Sequence, residues 1–307
     1  MLAAHCPCKI NHSLSHFDAT PLQQRIRLSM GNIVWLASYP KSGNTWIRAF
    51  LANLVANRPT PVGLDELPRY GNLEADPDLF GKLAGKPSTE LDLAQISELR
   101  PRVQAEIAAA APKSVFVKTH NFAGVHEGYP LHNPDVSAGA IYVMRNPLDV
   151  TISMSHHFGI SLDDAVMYLG NQSAATENTE LFVTEFLGSW SQHVKSWSEF
   201  NNERILVLRY EDLLEKPAKG FGKIARLVGL GKDRGRIERA IRHASFNSLS
   251  TMERRDGFTE VPIKGKRFFR AGRANQWREV LTREQVVRVI ADHREQMTRW
   301  RYLPAGY

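Results

Sequence analysis

The first group of residues able to do chemistry is the segment 39–46, which reads YPKSGNTW. Lys41 supplies a mobile positive charge, and Gly43 allows the backbone to approach a phosphate or a sulfate closely. Polar side chains in the same segment can donate hydrogen bonds to such an anion; they are Ser42, Asn44 and Thr45. This composition predicts a binding loop for a phosphate or a sulfate. The alternative is an ordinary turn that carries a surface lysine.

This segment differs from the phosphate loop of ATPases and nucleotide kinases. That loop has the pattern GxxxxGK[ST], which the sequence lacks. The nearest match, at 81–86, has the wrong spacing and runs into Pro87. A nucleotide kinase or a P-loop NTPase is therefore the weaker enzyme hypothesis, and it stays as the alternative.

A second candidate anion site is the segment 145–153, which reads RNPLDVTIS. The guanidinium of Arg145 lies at the end of a predicted strand, where its fork of N–H groups can pair with a phosphate. Ser153 lies seven residues past the helix cap at Asn146, on the same helical face. Together the two side chains could grip one anion. The alternative is a capped helix with a structural pair between Arg145 and Asp149.

A third cationic segment lies at 264–273 and reads KGKRFFRAGR. Its positive charges surround two aromatic residues and a glycine; the cations are Lys264, Lys266, Arg267, Arg270 and Arg273. Such a density is typical of a solvated loop or of a nucleic-acid-binding patch, and both interpretations stay open here. A regulatory or nucleic-acid-binding protein is accordingly the rival hypothesis from outside the enzymes.

A lysine and a histidine two positions apart offer acid–base chemistry. The segment 117–120 reads VKTH and ends a predicted strand. Because side chains alternate along a strand, Lys118 and His120 are expected to project on the same side. A histidine with a pKa near its ordinary value can act as a general base. The alternative is a histidine with a purely structural role.

The hydrophobic pattern predicts the elements that must position these motifs. Short runs that are apolar on both faces predict parallel strands at 32–38, 114–118, 140–144 and 204–209. Residues 45–57 have the apolar spacing of a helix. Further helices are predicted after Asn146, with Pro147 in first position, and from Thr282, where Gln285 completes a capping box. The alternation predicts an α/β domain with a mainly parallel sheet, whose ligands bind at the carboxyl ends of the strands.

The length and composition fit one large domain or two small ones, and we expect a single domain over residues 30–307. The chain has 307 residues, of which 43% are hydrophobic and 23% are charged, which is enough for a substantial core. The formal net charge of +7 is a mild bias toward anionic ligands, because basic and acidic residues are mixed over most of the length. No nucleic-acid partner is required by it.

Residues 1–29 show little periodic hydrophobicity, so a disordered tail is expected, with Met30 as an alternative first residue. The two cysteines, Cys6 and Cys8, cannot cross-link the body of a secreted fold, so a reducing cytoplasm is the expected compartment. A metal-binding arm is the alternative, although a Cys-x-Cys spacing matches no standard zinc site. No apolar run approaches the length of a membrane span, so no stable membrane insertion is expected.

At these motifs the sequence resembles the family of sulfotransferases that use PAPS (3'-phosphoadenosine-5'-phosphosulfate), over about 32–300. The segment 39–46 is similar to the family's phosphosulfate loop, YPKSGxTW, with Asn44 at the variable position. The resemblance implies that this loop binds the 5' side of the donor. In particular, Lys41 would contact the 5'-phosphate and the bridging oxygen, and Trp46 would stack on the adenine.

The same resemblance assigns Arg145 and Ser153 to the 3'-phosphate, the group that separates PAPS from ATP-type nucleotides. Ser153 would also hold Lys41 away from the bridging oxygen until the acceptor arrives. Tyr210 matches a tyrosine that contacts the base, and Phe246 matches a phenylalanine on the other face of the adenine. Each aromatic residue could instead serve packing alone.

The segment 268–272, followed by Trp277, resembles the family signature RKGxxGxW. Arg270 and Gly272, which match residues that approach the 3'-phosphate, are retained. Two positions depart from the pattern, since Ala271 replaces the usual lysine and Asn275 replaces the second glycine. We therefore expect the donor to bind with one ionic contact fewer.

The resemblance implies in-line transfer of a sulfuryl group from PAPS to an acceptor hydroxyl, with release of PAP (3'-phosphoadenosine-5'-phosphate). His120 would take the proton from the hydroxyl. Lys41 and Lys118 would stabilise the charge on the leaving phosphate and on the transferring group. No metal is expected, since no ligand spacing such as HExxH occurs.

The expected acceptor is a small or lipid-like molecule with a hydroxyl. Its candidate lining includes Phe122 and the residues 156–158, which are two histidines and a phenylalanine. A homodimer is left open, because the sequence has no clean match to the family's short dimer motif.

Overall fold

The computed structural model of the chain describes residues 32–199, 202–260 and 267–307. The expectations for the tail at 1–29, and for Lys264 and Lys266, lie outside the described residues. The two later described parts include Glu260 and Arg267, which border the gap in the cationic segment.

The centre of the described fold is a parallel five-stranded sheet, which confirms the predicted α/β class. Its strand order is β2-β3-β1-β6-β7, and a separate two-stranded antiparallel hairpin pairs β4 with β5. The strands are β1 (Ile33–Ala37), β2 (Asn72–Leu73), β3 (Val115–Thr119), β4 (Val125–His126), β5 (Tyr129–Pro130), β6 (Ser137–Met144) and β7 (Ile205–Arg209). The four strands predicted from apolar runs correspond to β1, β3, β6 and β7.

Helices fill most of the connections. They are α1 (Asn44–Ala56), α2 (Pro77–Ala84), α3 (Leu93–Ala110), α4 (Pro147–Phe158), α5 (Leu162–Gly170), α6 (Trp190–Ser198), α7 (Tyr210–Glu215), α8 (Pro217–Leu227), α9 (Arg234–His243), α10 (Phe246–Asp256), α11 (Trp277–Val280) and α12 (Arg283–Arg299). None of these described helices is both long and apolar enough to cross a membrane.

The predicted helix starts are confirmed by their caps. The side chain of Asn146 accepts a hydrogen bond from the Leu148 N–H at the start of α4, and Pro147 occupies the first turn. At α12, Thr282 and Gln285 form a reciprocal capping box. Local sequence therefore fixes where both helices begin.

The central strands bury side chains on both faces of the sheet, as the apolar runs predicted. Trp35 and Tyr142 belong to one hydrophobic core, whereas Leu36 and Ile141 belong to the core on the opposite face. The alternation follows from the two-residue period of a strand. Helices then cover both faces and leave the strand ends as the accessible edge.

The strand register aligns the carboxyl ends of the sheet. Ala37 pairs with both Thr119 of β3 and Tyr142 of β6, and Met144 pairs with Arg209 of β7. Since all these strands run in parallel, the segments that follow them emerge along one edge. The candidate residues after each strand are thereby brought to one edge; they are Lys41, His120, Arg145 and Tyr210.

Candidate active site

The loop between β1 and α1 turns sharply before the helix begins. Lys41 has φ 66° and Gly43 has φ 112°, so two nearby residues lie in the left-handed region. A Cβ at Gly43 would come within 2.9 Å of the Tyr210 ring, so glycine is needed there for space as well as for conformation. Directly after it, α1 begins at Asn44 and directs its first backbone N–H groups toward the loop.

The polar side chains of this loop have different partners. Ser42 is fully buried, and its hydroxyl has no hydrogen-bond partner among the described residues. The amide of Asn44 donates to the Leu36 carbonyl at 2.8 Å, so its side chain supports β1. The hydroxyl of Thr45 donates to Glu260 at 3.0 Å. A ligand would therefore meet the Ser42 hydroxyl and the backbone N–H groups first.

Lys41 lies among like charges in a crowded part of the site. Burial lowers the pKa of Lys41 to about 7; Glu260 opposes this shift, whereas Lys118 and Arg145 lower the pKa further. The ammonium also lies 4.2 Å from the centre of the Phe268 ring. Lys41 is thus poised to gain a proton when an anion enters.

His120 lies directly after β3, and its ring has a defined tautomer. Nδ1 lies 2.7 Å from the Ser38 carbonyl oxygen, which can only accept, so Nδ1 carries the hydrogen. Nε2 is therefore the unprotonated nitrogen with a lone pair. Burial, assisted by the charge of Lys118, lowers the pKa of His120 to about 3, so the ring is neutral at neutral pH. The ordinary pKa expected from the sequence is therefore wrong for this buried ring.

Glu260 is a member of this site that the sequence analysis missed. Its carboxylate accepts from Thr45 and from Arg48, two residues one turn apart on the first turns of α1. Burial alone would raise the pKa of Glu260, but Arg48 and Lys118 outweigh it and hold the pKa at about 2. An internal anion therefore faces the cations of the loop. No local sequence pattern indicates that Glu260 belongs to the site, because Thr45 and Arg48 are distant from it in the sequence.

A second cationic centre forms at the end of β6 around Arg145. Its guanidinium lies 4.6 Å from the centre of the Tyr210 ring and is 8% exposed. It donates to the carbonyls of Lys41 and Arg273 at 3.3 and 3.4 Å, which are long contacts to neutral oxygens. Ser153 lies farther along α4 and is half-buried.

Arg270 joins Arg145 at this centre. Burial lowers the pKa of Arg270, and the nearby charges of Arg145 and Arg273 lower it further, against the opposing charge of Asp149. Arg270 is therefore close enough to Arg145 and Arg273 for their charges to act on it, and Arg273 itself pairs with Glu279 at 2.7 Å. Such a cluster is stabilised when an anion binds between its members. Ala271 and Gly272, which follow Arg270, are both half-buried.

Asp149 fixes the segment that carries these arginines. Its carboxylate accepts from the backbone N–H groups of Asn275, at 2.7 Å, and Trp277, at 3.1 Å. The structural pair of Asp149 with Arg145, considered from the sequence, is thus replaced by two bonds to backbone. Asn275 has φ 63°, a left-handed conformation that asparagine tolerates better than most residues, which explains how it replaces the family glycine.

A second carboxylate, Glu211, braces the start of α4. It accepts from the Asn146 N–H at 3.0 Å and from the Tyr302 hydroxyl at 2.8 Å. Arg145 is the neighbour of Asn146, so the segment after α12 supports the backbone beside the arginine centre.

The candidate aromatic residues lie in two places around the loops. Trp46 is half-buried and makes edge contacts with Tyr210, at 5.5 Å, and with Phe221, at 5.1 Å between ring centres. Phe246 packs on the backbone of Gly272, where a Cβ would come within 2.3 Å of its ring. Trp46 therefore contacts Tyr210, and Phe246 contacts Gly272.

Phe268 covers the loop from the other side. The backbone N–H groups of Phe268 and Phe269 donate to the carboxylate of Glu253 on α10. His157 makes an edge contact with Phe268 at 6.0 Å, and burial lowers the pKa of His157 to about 3, with Lys41 as the next cause. His157 thus lies near Lys41, and it belongs to the residues 156–158 that the sequence suggested as acceptor lining.

The other predicted lining residues have different surroundings. Phe122 is 4% exposed and packs with Leu131 and Phe186 in a small apolar cluster, so its ring serves the core. His156 is exposed, whereas Phe158 is half-buried against the core. Within the described parts of the chain, no group of three or more His, Cys, Asp or Glu side chains could hold a metal ion.

The described fold is thus an α/β arrangement in which cationic side chains gather at the carboxyl edge of a parallel sheet. The family model described as a sulfotransferase domain matches residues 32–301. The chain belongs to the sulfotransferase family, whose members are transferases of sulfuryl groups.

Known relatives agree with this assignment over nearly the whole length. Sulfotransferase 1B1 of Mus musculus is 25% identical over 299 residues, which cover 93% of this chain and 86% of that protein. Cytosolic sulfotransferase 16 of Arabidopsis thaliana is 25% identical and covers 91% of this chain and 77% of that protein.

Solved structures share the fold at lower identity. Retinol dehydratase in complex with androsterone and PAP is 20% identical, with a TM-score of 0.59, and covers 89% of this chain and 82% of that chain. Mouse sulfotransferase SULT7A1 in complex with PAP is 22% identical, with a TM-score of 0.56, and covers 87% and 84%.

Proposed function

We propose that this protein transfers the sulfuryl group of PAPS to an acceptor hydroxyl, with His120 as the general base, and releases PAP. The observation that carries the proposal is the bond of His120 Nδ1 to the Ser38 carbonyl at 2.7 Å. This bond leaves Nε2 as the proton acceptor, on a neutral ring that shares its pocket with Lys41 and Lys118. A base and two cations are the groups that in-line transfer requires.

The 5' side of the donor would occupy the loop after β1. The backbone N–H groups at 43–45 and the buried Ser42 hydroxyl would bind the 5'-phosphate, and Lys41 would face the bridging oxygen. Because an anion raises the pKa of a neighbouring lysine, donor binding would return Lys41 to its ammonium form. The lowered pKa in the free protein is thus compatible with an ionic contact in the complex.

The 3'-phosphate would lie between Arg145 and Arg270, which form the second cationic centre. Arg145 and Arg270 repel each other there, and within the described ranges their hydrogen bonds go to neutral oxygens, so both would gain a charged partner when a phosphate binds. Ser153, Ala271 and Gly272 would complete this part of the site. The adenine would lie against Trp46 and Tyr210 on one side, and against Phe246 on the other.

The transfer step then follows from the positions of the charges. The acceptor oxygen gives its proton to His120 Nε2 and forms a bond to sulfur, while the bond from sulfur to the bridging oxygen breaks. Lys41 stabilises the negative charge that appears on the leaving phosphate, and Lys118 stabilises the oxygens of the sulfuryl group. Ser153 would hold Lys41 away from the bridging oxygen before the acceptor binds. No metal takes part in this scheme.

The acceptor we propose is a small or lipid-like alcohol or phenol. Solved relatives hold androsterone in one case, as named above, and retinol in another. Here His157 and Phe268 offer a mixed polar and aromatic wall beside Lys41. We propose a cytoplasmic enzyme that needs no nucleic-acid partner.

The proposal is tested with labelled PAPS and a panel of alcohols, phenols, hydroxylated lipids and sugars. We expect transfer of label to an acceptor, unchanged by EDTA, and retention on a PAP column with elution by PAP but not by ATP. Magnesium-dependent turnover of ATP with no binding to PAP would contradict it and would favour a nucleotide kinase or an NTPase. Retention by nucleic acid alone would favour the nucleic-acid-binding alternative.

A further inference from the structure

His120 lies one residue beyond the part of β3 that the sheet holds. The ladder between β1 and β3 ends at the pair of Ala37 and Thr119, and the Ser38 N–H donates to the Thr119 carbonyl at 3.4 Å. The backbone N–H and carbonyl of His120 have no partner in the sheet. Buried backbone groups need other partners, and whatever supplies them also fixes the direction of the side chain.

Two buried side chains from outside the sheet supply those partners. The carboxylate of Glu185 accepts from the His120 N–H at 2.6 Å, and the ring of His193 lies with Nε2 3.0 Å from the His120 carbonyl. Glu185 is 5% exposed and His193 is fully buried. His120 is therefore gripped on both sides of its Cα, in addition to the bond from its ring to Ser38.

Both Glu185 and His193 are themselves held by hydrogen bonds. The Glu185 N–H donates to the Thr176 hydroxyl at 2.8 Å, which orients the backbone of Glu185. The His193 ring has a fixed tautomer: Nε2 donates to a carbonyl, so Nδ1 accepts from the Tyr142 hydroxyl at 3.0 Å. Burial lowers the pKa of His193 to about 3, which keeps the ring neutral and this tautomer intact.

A carboxylate is a costly group to bury for one backbone N–H. Among the residues that the structure describes, Glu185 forms no salt bridge, so removing its charge from water is unfavourable, and an amide could accept the same bond. The carboxylate nevertheless bonds to the backbone of the proposed base. A general base loses much of its effect when it is displaced by a fraction of an ångström, so accurate placement of His120 has functional value.

We propose that Glu185 and His193 are positioning residues that hold His120 in the orientation needed to take the acceptor proton. The inference rests on the proposed function, in which His120 is the base. Glu185 and His193 act through the backbone of His120 and touch neither donor nor acceptor. Their removal is expected to lower turnover and to leave binding of PAP unchanged.

The first experiment compares Glu185→Ala with Glu185→Gln. The glutamine oxygen can accept the same N–H, so Glu185→Gln is expected to keep turnover within about threefold of the parent, whereas Glu185→Ala loses roughly tenfold to a hundredfold in kcat. The Kd for PAP is expected to stay within about twofold for both, since the donor groups are elsewhere. Glu199→Ala, which removes a half-buried carboxylate paired with Arg299, is the matched control.

The second experiment is a double-mutant cycle with His120→Ala, which removes the imidazole and keeps the backbone N–H. If Glu185 acts through the position of the imidazole, adding Glu185→Ala to His120→Ala has almost no further effect on the residual turnover. An equal loss in both backgrounds would overturn the inference and show a general structural role. Parental turnover in Glu185→Ala, or a parallel loss of PAP affinity, would overturn it as well.

His193 provides an independent arm if Glu185→Ala does not fold. His193→Gln can still donate to the His120 carbonyl through its amide, whereas His193→Leu cannot. We expect His193→Gln to retain most of the turnover and His193→Leu to lose roughly tenfold or more at unchanged PAP affinity. Equal turnover in the two variants would contradict the inference. Failure of the proposed function has a different signature, because the parent itself would then show no transfer from PAPS.

Discussion

The ammonium of Lys41 lies 4.2 Å from the centre of the Phe268 ring, so the lysine of the first loop meets a residue of the distant cationic segment. This contact reduces the exposure of Lys41 to water, and burial is the largest cause of its lowered pKa. A displacement of Phe268 would therefore expose Lys41 to water and raise its pKa.

Binding of PAP should take up a proton through Lys41. In the free protein the pKa of Lys41 is about 7, so at about pH 8 most molecules carry the neutral amine. A bound phosphate raises this pKa, so binding at about pH 8 draws in close to one proton. Calorimetry in buffers with different enthalpies of ionisation measures the uptake. Lys41→Arg should abolish it and Phe268→Ala should reduce it; equal uptake in all three proteins would contradict the assignment.

Replacement of the proposed base should separate chemistry from binding. His120→Ala is expected to lower kcat by roughly a hundredfold to ten-thousandfold, the usual contribution of a positioned base, with PAP affinity within a few-fold of the parent. Steady-state kinetics and calorimetry measure the two effects. His243→Ala, a change of another histidine at the last residue of α9, is the control. Near-parental turnover with an acceptor of high hydroxyl pKa would show that His120 is not the base.

Removal of the arginine at the end of β6 should weaken binding of the 3'-phosphate. Arg145→Ala is expected to cost about 1.5–3 kcal/mol of PAP binding, the range for a hydrogen bond to a charged partner. The variant should also lose the preference for PAP over adenosine 5'-phosphate. Competition binding with both nucleotides measures this preference, and Arg299→Ala is the surface control. An unchanged preference would remove Arg145 from the 3'-phosphate site.

The internal anion of the site should compete with the donor. Glu260 accepts from Thr45 and Arg48 and faces the charges of Lys41 and Lys118. Glu260→Gln keeps a hydrogen-bond acceptor and removes the charge, so PAP should bind about threefold to tenfold more tightly, because a repulsion between anions is relieved. Glu238→Gln, in an exposed pair, is the control. Weaker binding of PAP in the Glu260 variant would instead show that the carboxylate supports the donor site.

The same Glu260→Gln change should lower the stability of the free protein. Arg48 is 3% exposed and would lose its charged partner, at a cost of about 1–3 kcal/mol in the free energy of unfolding. Saturating PAP should restore part of that loss, which denaturant titration with and without PAP can measure.

Gly272, in the cationic segment at 264–273, should tolerate substitution less well than the nearby Asn275. Gly272 has φ 58°, and an added Cβ would come within 2.3 Å of Phe246, so Gly272→Ala is both strained and crowded. We expect PAP affinity to fall by about tenfold, since the backbone next to Arg270 must move. Asn275→Gly, at a position with φ 63°, should leave affinity within about twofold. Equal effects of the two changes would argue against this cause.

The main strands and both anion-binding segments were predictable because their signals are local. The runs of β1, β3, β6 and β7 are apolar on both faces, and the caps at Asn146 and Thr282 satisfy helix ends within three residues. The strands β2, β4 and β5 were not predictable, since two residues carry no periodicity. These short strands form because β2 pairs with β3, and β4 pairs with β5.

The supporting carboxylates of the site were missed for a related reason. Asp149 was interpreted through its sequence neighbour Arg145, although its partners lie at 275–277. Glu185 and Glu260 occur in segments without a motif, and each bonds to a residue far away in the chain. Residue type alone did not distinguish them from surface acids; that required the three-dimensional arrangement.

The bond from Tyr302 to Glu211 has a consequence for synthesis of the protein. A ribosome makes the chain from residue 1 onward, so the loop at Lys41 emerges early and the brace from Tyr302 is added long afterwards. A growing chain that already contains the sheet would still lack Arg270 and this brace, and we expect it to hold the nucleotide poorly. Newly made molecules would then acquire affinity for the nucleotide only after the segment from Arg270 to Tyr302 has left the ribosome and has packed onto the sheet.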